Sequence, residues 1–366
     1  FVYFILIRFP FITICYACLK AFKSCKFRRK GSFIFAFGNK GYCQDSLLIM
    51  FWNVENFFDY TDGGKGESDK EFSSYGTRHW TKKRFYAKCD AVAKSIMWTG
   101  DRYGRMPDLI GLAEIENKGV LLKLLKYTAL RKYDYDVIHF DSNDRRGIDV
   151  AFLYRRSVMD PESISLVTPG IDGARFSTRD ILHAKMYISD GYSIDFIVNH
   201  HPSKFGGEKV SAERRNAAMR TLKMLCDSLG NGNIVAMGDF NDNPSDKVPT
   251  TTLAALPYTS GSFEDLKLYN LCWDGYSFEN KDIGSYFHDG EWDMLDQIIV
   301  SGALLNGNLS VRIMPEAEVY HPKWISKRDK RTGEMVPKRT YVGPFYQGGV
   351  SDHFPVFMEM FFKSEL

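Results

Sequence analysis

The chain alternates short, nearly continuous apolar runs with longer stretches in which apolar positions recur every three or four residues. Ser46–Val54 is largely apolar, the pattern of a strand buried on both faces. Thr81–Thr99 places Phe85, Cys89, Val92, Ala93 and Ile96 on one face at helical spacing. Asp108–Ile115 reads as a second buried strand and Val120–Leu130 as a second helix. Val137–Phe140, Asp149–Tyr154, Ile181–Ile188 and Tyr192–Asn199 read as strands. Ser211–Leu229 reads as a helix with Ser211 as N-cap and Gly230 just past its end. Asn233–Gly238, Leu295–Val300, Leu309–Ile313 and Phe354–Phe362 complete the strands. Strands outnumber helices, and many follow one another directly. That order fits two packed sheets flanked by helices better than a doubly wound parallel sheet. No fixed-period repeat or low-complexity linker follows residue 45, and nothing divides 46–364, so 44–366 is expected to be one domain.

The first 43 residues have a different character. Phe1–Leu19 is apolar apart from interruptions such as Arg8 and Pro10; Lys20–Lys30 is basic; Ser32–Gly38 is apolar again. A basic run, a short apolar run and then small or polar residues is the layout of a secretory signal. The expectation is an exported, periplasmic or envelope protein whose mature body begins near Cys43 or Gln44. A flexible or untranslated leader is the alternative.

Composition narrows the possibilities. The chain is 44% hydrophobic and 15% aromatic, too rich in large apolar groups for a disordered protein. Its net charge of +3 hides an asymmetry: residues 1–43 carry eight basic groups and no acid, so 44–366 is net −5. That balance excludes a protein that coats nucleic acid over its whole surface, and polyanion chemistry must come from a local site. Cys89, Cys226 and Cys272 are too scattered for a zinc site or a disulfide framework, and read as buried apolar residues. Cys15 and Cys18 lack a second pair.

Polar residues gather where apolar runs end or begin. Asn53, Glu55 and Asn56 close the first strand and Glu114 closes the second; Asn199-His200-His201 and Asp239-Phe-Asn241 follow two more; Asp352-His353 precedes the last. Each alone is ordinary turn chemistry. Five in one chain suggest groups held on rigid strand ends within reach of substrate. Carboxylate and amide oxygens with little sulfur suit a hard cation such as Mg²⁺ or Mn²⁺. Histidines beside carboxylates add proton transfer and anion binding. Together they suit attack of water on a phosphoester.

Phe51-Trp-Asn53-Val-Glu-Asn-Phe-Phe-Asp59, Gly111-Leu-Ala-Glu114-Ile-Glu-Asn117, Gly238-Asp-Phe-Asn241 and Ser351-Asp-His-Phe-Pro355 resemble, in order, the motifs of the endonuclease/exonuclease/phosphatase superfamily. The resemblance implies a four-layer α/β sandwich in which two mixed, largely antiparallel sheets are flanked by helices. It implies a Mg²⁺- or Mn²⁺-dependent phosphoesterase, with Asn53, Glu114 and Asp352 on the metal side. Asp239 would position or deprotonate the attacking water, or protonate the leaving group. Asn241 and Asn53 would hold phosphate oxygens. His353 would bind the scissile phosphate or act as base, oriented by Asp296, with Asp293 as the competing choice. His200 would be the second histidine, with His201 as rival.

Arg179 resembles the superfamily's phosphate-contacting arginine, against the alternative of an ion pair with Asp180 or a neighbour. Asp149 would support the site or cap a turn. Lys323–Arg339, rich in Lys and Arg, would track a phosphate backbone at the site rim or form a solvated loop. The acidic loop Asp59–Glu71 is expected at the surface. The substrate would be nucleic acid, or a smaller phosphoester such as an inositol phosphate or a sphingomyelin headgroup; a non-catalytic binding module is the remaining alternative. No stable protein partner is expected, a monomer is, and membrane contact would come only through residues 1–43.

Overall fold

The computed structural model describes residues 46–362 except 62, 190–191, 205–206, 259–260, 274–283, 308–310, 314–317 and 320–321. The leader expected over residues 1–43 lies outside the described residues.

Two seven-stranded sheets carry the fold. Their strands are β1 (Ser46–Phe57), β2 (Leu109–Ile115), β3 (Tyr135–His139), β4 (Asp149–Arg155), β5 (Asp160–Val167), β6 (Ile181–Ser189), β7 (Tyr192–His200), β8 (Ile234–Asp239), β9 (Ala255–Pro257), β10 (Leu268–Asn270), β11 (Asp296–Ser301), β12 (Val311–Ile313), β13 (Glu318–Val319) and β14 (Val356–Phe362). The first sheet runs β12–β14–β1–β2–β4–β3, with β13 also on β14; the second runs β9–β10–β11–β8–β7–β6–β5. Among the described residues, β1/β2, β7/β8 and β9/β10 are the parallel pairs of these sheets. The flanking helices are α1 (Lys82–Tyr103), α2 (Lys118–Tyr127) and α3 (Glu208–Ser228).

The alternation of β1 explains the layering. Leu48, Met50, Trp52 and Val54 face a core shared with Phe85, Val92 and Ile96 of α1 and Val120, Leu121 and Leu124 of α2. Leu47, Ile49 and Phe51 face the other sheet, among Phe196 and Val198 of β7, Val235 and Met237 of β8 and Ile298 of β11. Beyond the second sheet, Met219, Leu222 and Cys226 of α3 cover Ile197, Ile234 and Ala236. A strand buried on both faces needs apolar residues at every position, which is why β1 reads as a continuous run. The expected sandwich of two mixed, mainly antiparallel sheets with outer helices is the observed one. Cys89, Cys226 and Cys272 are buried and unpaired, and burial pushes each thiol up to about 12.

Several expectations need correction. Ser211 is not an N-cap: α3 starts at Glu208, and the Ser211 hydroxyl donates back to the Gly207 carbonyl at 3.0 Å. α2 begins at Lys118 under an Asn117 cap and stops at Tyr127, after which Ala129–Lys132 tightens into a 3₁₀ turn. β5 was not expected; it is an edge strand, mostly exposed, and so lacks a core pattern. The loop Asp59–Glu71 is only partly at the surface. Asp59 and Asp69 are buried, Asp59 paired with Lys123, and Asp69 accepting from the Gly64 N–H at 2.8 Å. Lys123 of α2, 64 residues further along the chain, neutralises Asp59 in place of solvent, and sequence order does not show it.

Gly238 sits in β8 opposite Asn199 of β7, and a Cβ there would lie 2.4 Å from the Asn199 carbonyl oxygen. Gly100, inside α1, has open space at the Cβ position. Gly238→Ala is expected to destabilise the protein by about 1–3 kcal/mol. Gly100→Ala should stabilise it by roughly 0.4–1 kcal/mol. Denaturant midpoints of both variants against the parent check the pair, and equal midpoints would contradict the close-approach argument.

Candidate active site

Sheet pairing brings the polar residues together. The parallel pairs β1/β2 and β7/β8 end side by side, carrying Asn53 and Glu114 on one sheet and His200 and Asp239 on the other. The neighbours β11 and β14 run the opposite way, so their beginnings lie at that same end. Asp296 opens β11 as the register partner of Asp239, and His353 stands just before β14.

The result is a cleft of about 460 Å³ whose lining includes Asn53, Glu114, His200, Asp239, Asn241, Asp352 and His353. Asp239 is its hub. Its Oδ2 accepts from Asn53 Nδ2 at 3.0 Å and lies 3.6 Å from His200 Nε2 and 3.8 Å from His353 Nε2. Its Oδ1 accepts the Asn241 N–H at 3.0 Å. The other nitrogen of His353, Nδ1, lies 2.6 Å from Asp296 Oδ2, so Asp296 rather than Asp293 holds that ring. Asp293 lines the cleft and accepts from Asn243 at 2.7 Å. Trp52 Nε1 fixes the His353 carbonyl at 2.9 Å, and the Ser351 hydroxyl donates to the Asn53 carbonyl at 2.6 Å. These two bonds tie the start of β14 to the end of β1.

Backbone strain concentrates here. Glu55, Asn56, Glu114 and Asn241 all have positive φ (48°, 47°, 64° and 50°). A left-handed conformation is unfavourable for a side chain as large as glutamate. β1 and β2 both lose register at these points. The break turns the Glu114 carboxylate so that Oε2 accepts the Asn56 N–H at 2.6 Å and Oε1 meets Arg146 Nη1 at 3.1 Å. Arg146 Nη2 donates to Asn56 Oδ1 at 2.6 Å.

The charges are tuned by burial and by each other. Burial pushes the Asp239 carboxyl up to about 7; His353 opposes the shift and Asp296 adds to it. Burial also disfavours a charged His353, but the carboxylates of Asp296, Asp239 and Asp352 together outweigh it and raise that imidazole to about 10. His200 goes the other way, held well below the usual histidine range by burial and by Arg179. Glu114 is desolvated too, yet Arg146 and the Asn56 N–H hold it below the ordinary carboxylate range. Glu55 is pushed up to about 7, first by burial and then by Asp352. Behind it, buried Lys88 is lowered to about 8 by desolvation and donates to the Glu55 carbonyl and to Thr340 Oγ1.

Other expected residues fall elsewhere. Arg179 is buried and fully engaged: Nε and Nη2 donate to the His200 and His201 carbonyls at 3.1 and 2.6 Å, and Nη1 pairs with Asp144 at 3.0 Å. It shapes the end of β7 from beneath and is not among the cleft residues. His201 turns its ring edge to Phe240, 5.1 Å away, so His200 is the histidine that faces the cleft. Asp149 accepts the Ser142 N–H at 2.9 Å, which is turn support. Arg146, Lys204, Tyr286 and His288 line the cleft without having been singled out as site residues. Only Arg146 had a visible signal, its place just before a buried strand.

The profile of the Endonuclease/Exonuclease/phosphatase family matches residues 48–361. The chain belongs to the endonuclease/exonuclease/phosphatase family. Members of that family hydrolyse phosphoesters with a divalent metal, and this protein is a phosphoester hydrolase on the family's fold. Solved structures similar to it include a family protein from Bacteroides thetaiotaomicron (17% identity, TM-score 0.52, 87% of this chain and 98% of that one). TDP2 of D. rerio complexed with single strand DNA product is another (13%, 0.51, 87% and 99%). The mannosyl-6-phosphatase of Bacteroides thetaiotaomicron is a third (16%, 0.50, 86% and 100%). No curated protein matches the chain. These likenesses show the fold alone.

The His353–Asp296 pair has a pH signature. A histidine raised to about 10 binds its proton more tightly folded than unfolded, where it titrates near 6.5. Its contribution is complete below about pH 6.5 and declines as pH rises toward about 10. In chelator, Asp296→Asn should therefore flatten the fall in denaturant midpoint across that window. A parallel fall in both proteins would show that the pair does not titrate as described.

Proposed function

We propose that the protein is a Mg²⁺- or Mn²⁺-dependent phosphodiesterase acting first on DNA or RNA. The observation that carries the chemistry is geometric: the buried Asp239 carboxylate stands 3.6 Å from His200 Nε2 and 3.8 Å from His353 Nε2, with burial raising its carboxyl. Asp239 takes a proton from the attacking water. His353, kept cationic by Asp296, donates to a phosphoryl oxygen as charge builds there. His200 and Asn241 supply further hydrogen-bond groups, and the bridging P–O bond to the leaving group breaks as the water's P–O bond forms.

The donor set fits a hard cation. Asn53, Glu114 and Asp352 line the same cleft, and Glu55, raised first by burial, is raised further by the charges of Asp352 and Glu114. The half-exposed Arg146 guanidinium would release one Glu114 oxygen for the metal. The bound ion would offset charge on the phosphoryl group and leaving oxygen.

The fold leaves the substrate open, since one neighbour holds a single strand DNA product and another is a mannosyl-6-phosphatase. Nucleic acid is favoured by Arg146 and Lys204 in the cleft and by the basic stretch Lys323–Arg339 beside it. A compact phosphoester headgroup is the second reading, because a cleft of about 460 Å³ would enclose one.

Bis(p-nitrophenyl) phosphate and single-stranded DNA should both be hydrolysed with Mg²⁺, and neither in chelator. Glu114→Gln is expected to lower turnover and move half-saturation by Mg²⁺ to higher concentration, with an unchanged melting curve. His353→Ala should reduce turnover by about 10²-fold or more. Activity that survives chelation and both substitutions would refute the assignment.

A further inference from the structure

The hairpin Tyr286–His288/Glu291–Asp293 forms a ridge. On one side lies the catalytic cleft; on the other is a second cleft of about 300 Å³, whose lining includes Phe287, His288, Lys327, Arg331 and Arg339. His288 lines both. Arg339 bridges the ridge. Its Nη2 donates to Tyr286 Oη at 2.9 Å and lies 3.7 Å from Asp352, while its guanidinium sits 5.5 Å from the Tyr286 ring centre.

The second cleft is cationic despite a body of net negative charge. Lys323–Arg339 contains seven basic residues and two acids, and in the lining of the cleft Lys327, Arg331 and Arg339 outnumber the carboxylates of Asp289 and Asp329. Asp329 accepts the N–H groups of Arg331 and Thr332 at 2.9 Å each, closing its own turn. Glu334 accepts from Trp292 Nε1 at 2.5 Å. Asp289, at the hairpin tip, lines the same cleft and is largely exposed to water. Arg331 is packed against Gly290 in the hairpin turn, where any Cβ would collide with its Nη2, so the guanidinium is seated on the ridge. The Tyr286 and His288 rings stack with centroids 6.1 Å apart, and Tyr286 also meets the His353 ring at 4.8 Å, which sets the aromatic edge of the hairpin beside the reacting centre. Cations beside aromatic rings suit a single strand: phosphates on one, bases on the other.

We propose that this second cleft binds a backbone phosphate adjacent to the scissile one, making the enzyme selective for single-stranded polynucleotide over isolated phosphodiesters. The inference rests on the phosphodiesterase reading above. It assigns Lys327 and Arg331 to substrate binding rather than to chemistry.

The test uses the full chain with Mg²⁺, the double variant Lys327→Ser/Arg331→Ser, and two probes: bis(p-nitrophenyl) phosphate, with one phosphodiester, and single-stranded oligodeoxynucleotides of increasing length. Both substituted side chains are exposed, and matching melting curves confirm an intact fold. Expected is a rise in KM for the longer oligonucleotides of about tenfold or more. The slope of log KM against log salt should fall by about one per cation removed. Kinetics on bis(p-nitrophenyl) phosphate should be unchanged. Equal KM values for the oligonucleotides, or an equal loss on both probes, would overturn the subsite. A parent enzyme that cleaves the small bis-ester but no oligonucleotide would also overturn it while leaving the phosphodiesterase reading standing. A parent that cleaves neither would remove that reading and the subsite with it.

Discussion

Asp239 and Asp296 are register partners on adjacent antiparallel strands, both almost without solvent. Two carboxylates so placed cannot both be ionised unless a cation stands near them. His353 is that cation, 2.6 Å from Asp296 and 3.8 Å from Asp239. The arrangement couples the sheets, because the imidazole enters from the first sheet and the carboxylates from the second. Trp52, Ser351 and Ser285 are all spent on holding the backbone around this contact: Ser285 Oγ accepts the Asp296 N–H at 3.0 Å and its carbonyl accepts the Phe354 N–H at 2.8 Å. A charge triad of this kind contributes little net stability relative to a packed apolar core, so its presence is better explained by what it does to the proton affinity of Asp239.

The strained residues follow the same logic. A regular end to β1 and β2 would leave Glu114 projecting with the strand's own alternation. The positive φ at Glu114 and at Glu55–Asn56 instead turns the carboxylate toward Arg146 and the Asn56 N–H. Such conformations cost of order 1–3 kcal/mol each. The surrounding cores supply that: Trp52, Val54, Phe57 and Ile115 are fully buried on either side of the distortions. Lys88 adds a specific brace, reaching from α1 to the Glu55 carbonyl and Thr340. The active end of the sandwich is therefore held from the helix layer as well as from the sheets.

This division explains what could be read from the residues alone. β1, β2, β7 and β8 were legible because burial on both faces demands unbroken apolar runs, and their polar terminators then stood out. The pairing of Asp296 with His353 was legible only through family resemblance, since 57 residues separate them and no local pattern links them. Arg179 shows the limit of a local reading. An arginine at the start of a strand near histidines looks the same in sequence whether its guanidinium meets solvent or two backbone carbonyls. Arg146, on the loop between β3 and β4, has a guanidinium that lines the cleft. β5 escaped because an exposed edge strand has no core face to impose a pattern.

Selectivity must arise where the fold is least constrained. The residues around Asp239 are fixed by sheet register, and shifting any of them would disturb the charge balance that makes Asp239 useful. The Ser326–Arg328/Met335–Pro337 ribbon carries no such obligation; Val336 and Ile325 anchor it in the core, and the Trp292–Glu334 bond joins it to the hairpin, which is itself tied to the centre where Tyr286 bridges to His353. Charge added there alters long-range attraction and the binding of flanking phosphates without altering proton transfer at the centre. On the proposed reading, a body of net negative charge with positive charge gathered on one ribbon beside the cleft would draw a polyanion toward that ribbon. A small neutral-bodied ester would gain little from that ribbon, and it is this asymmetry, more than the shape of the catalytic cleft, that favours a chain of phosphates as the substrate.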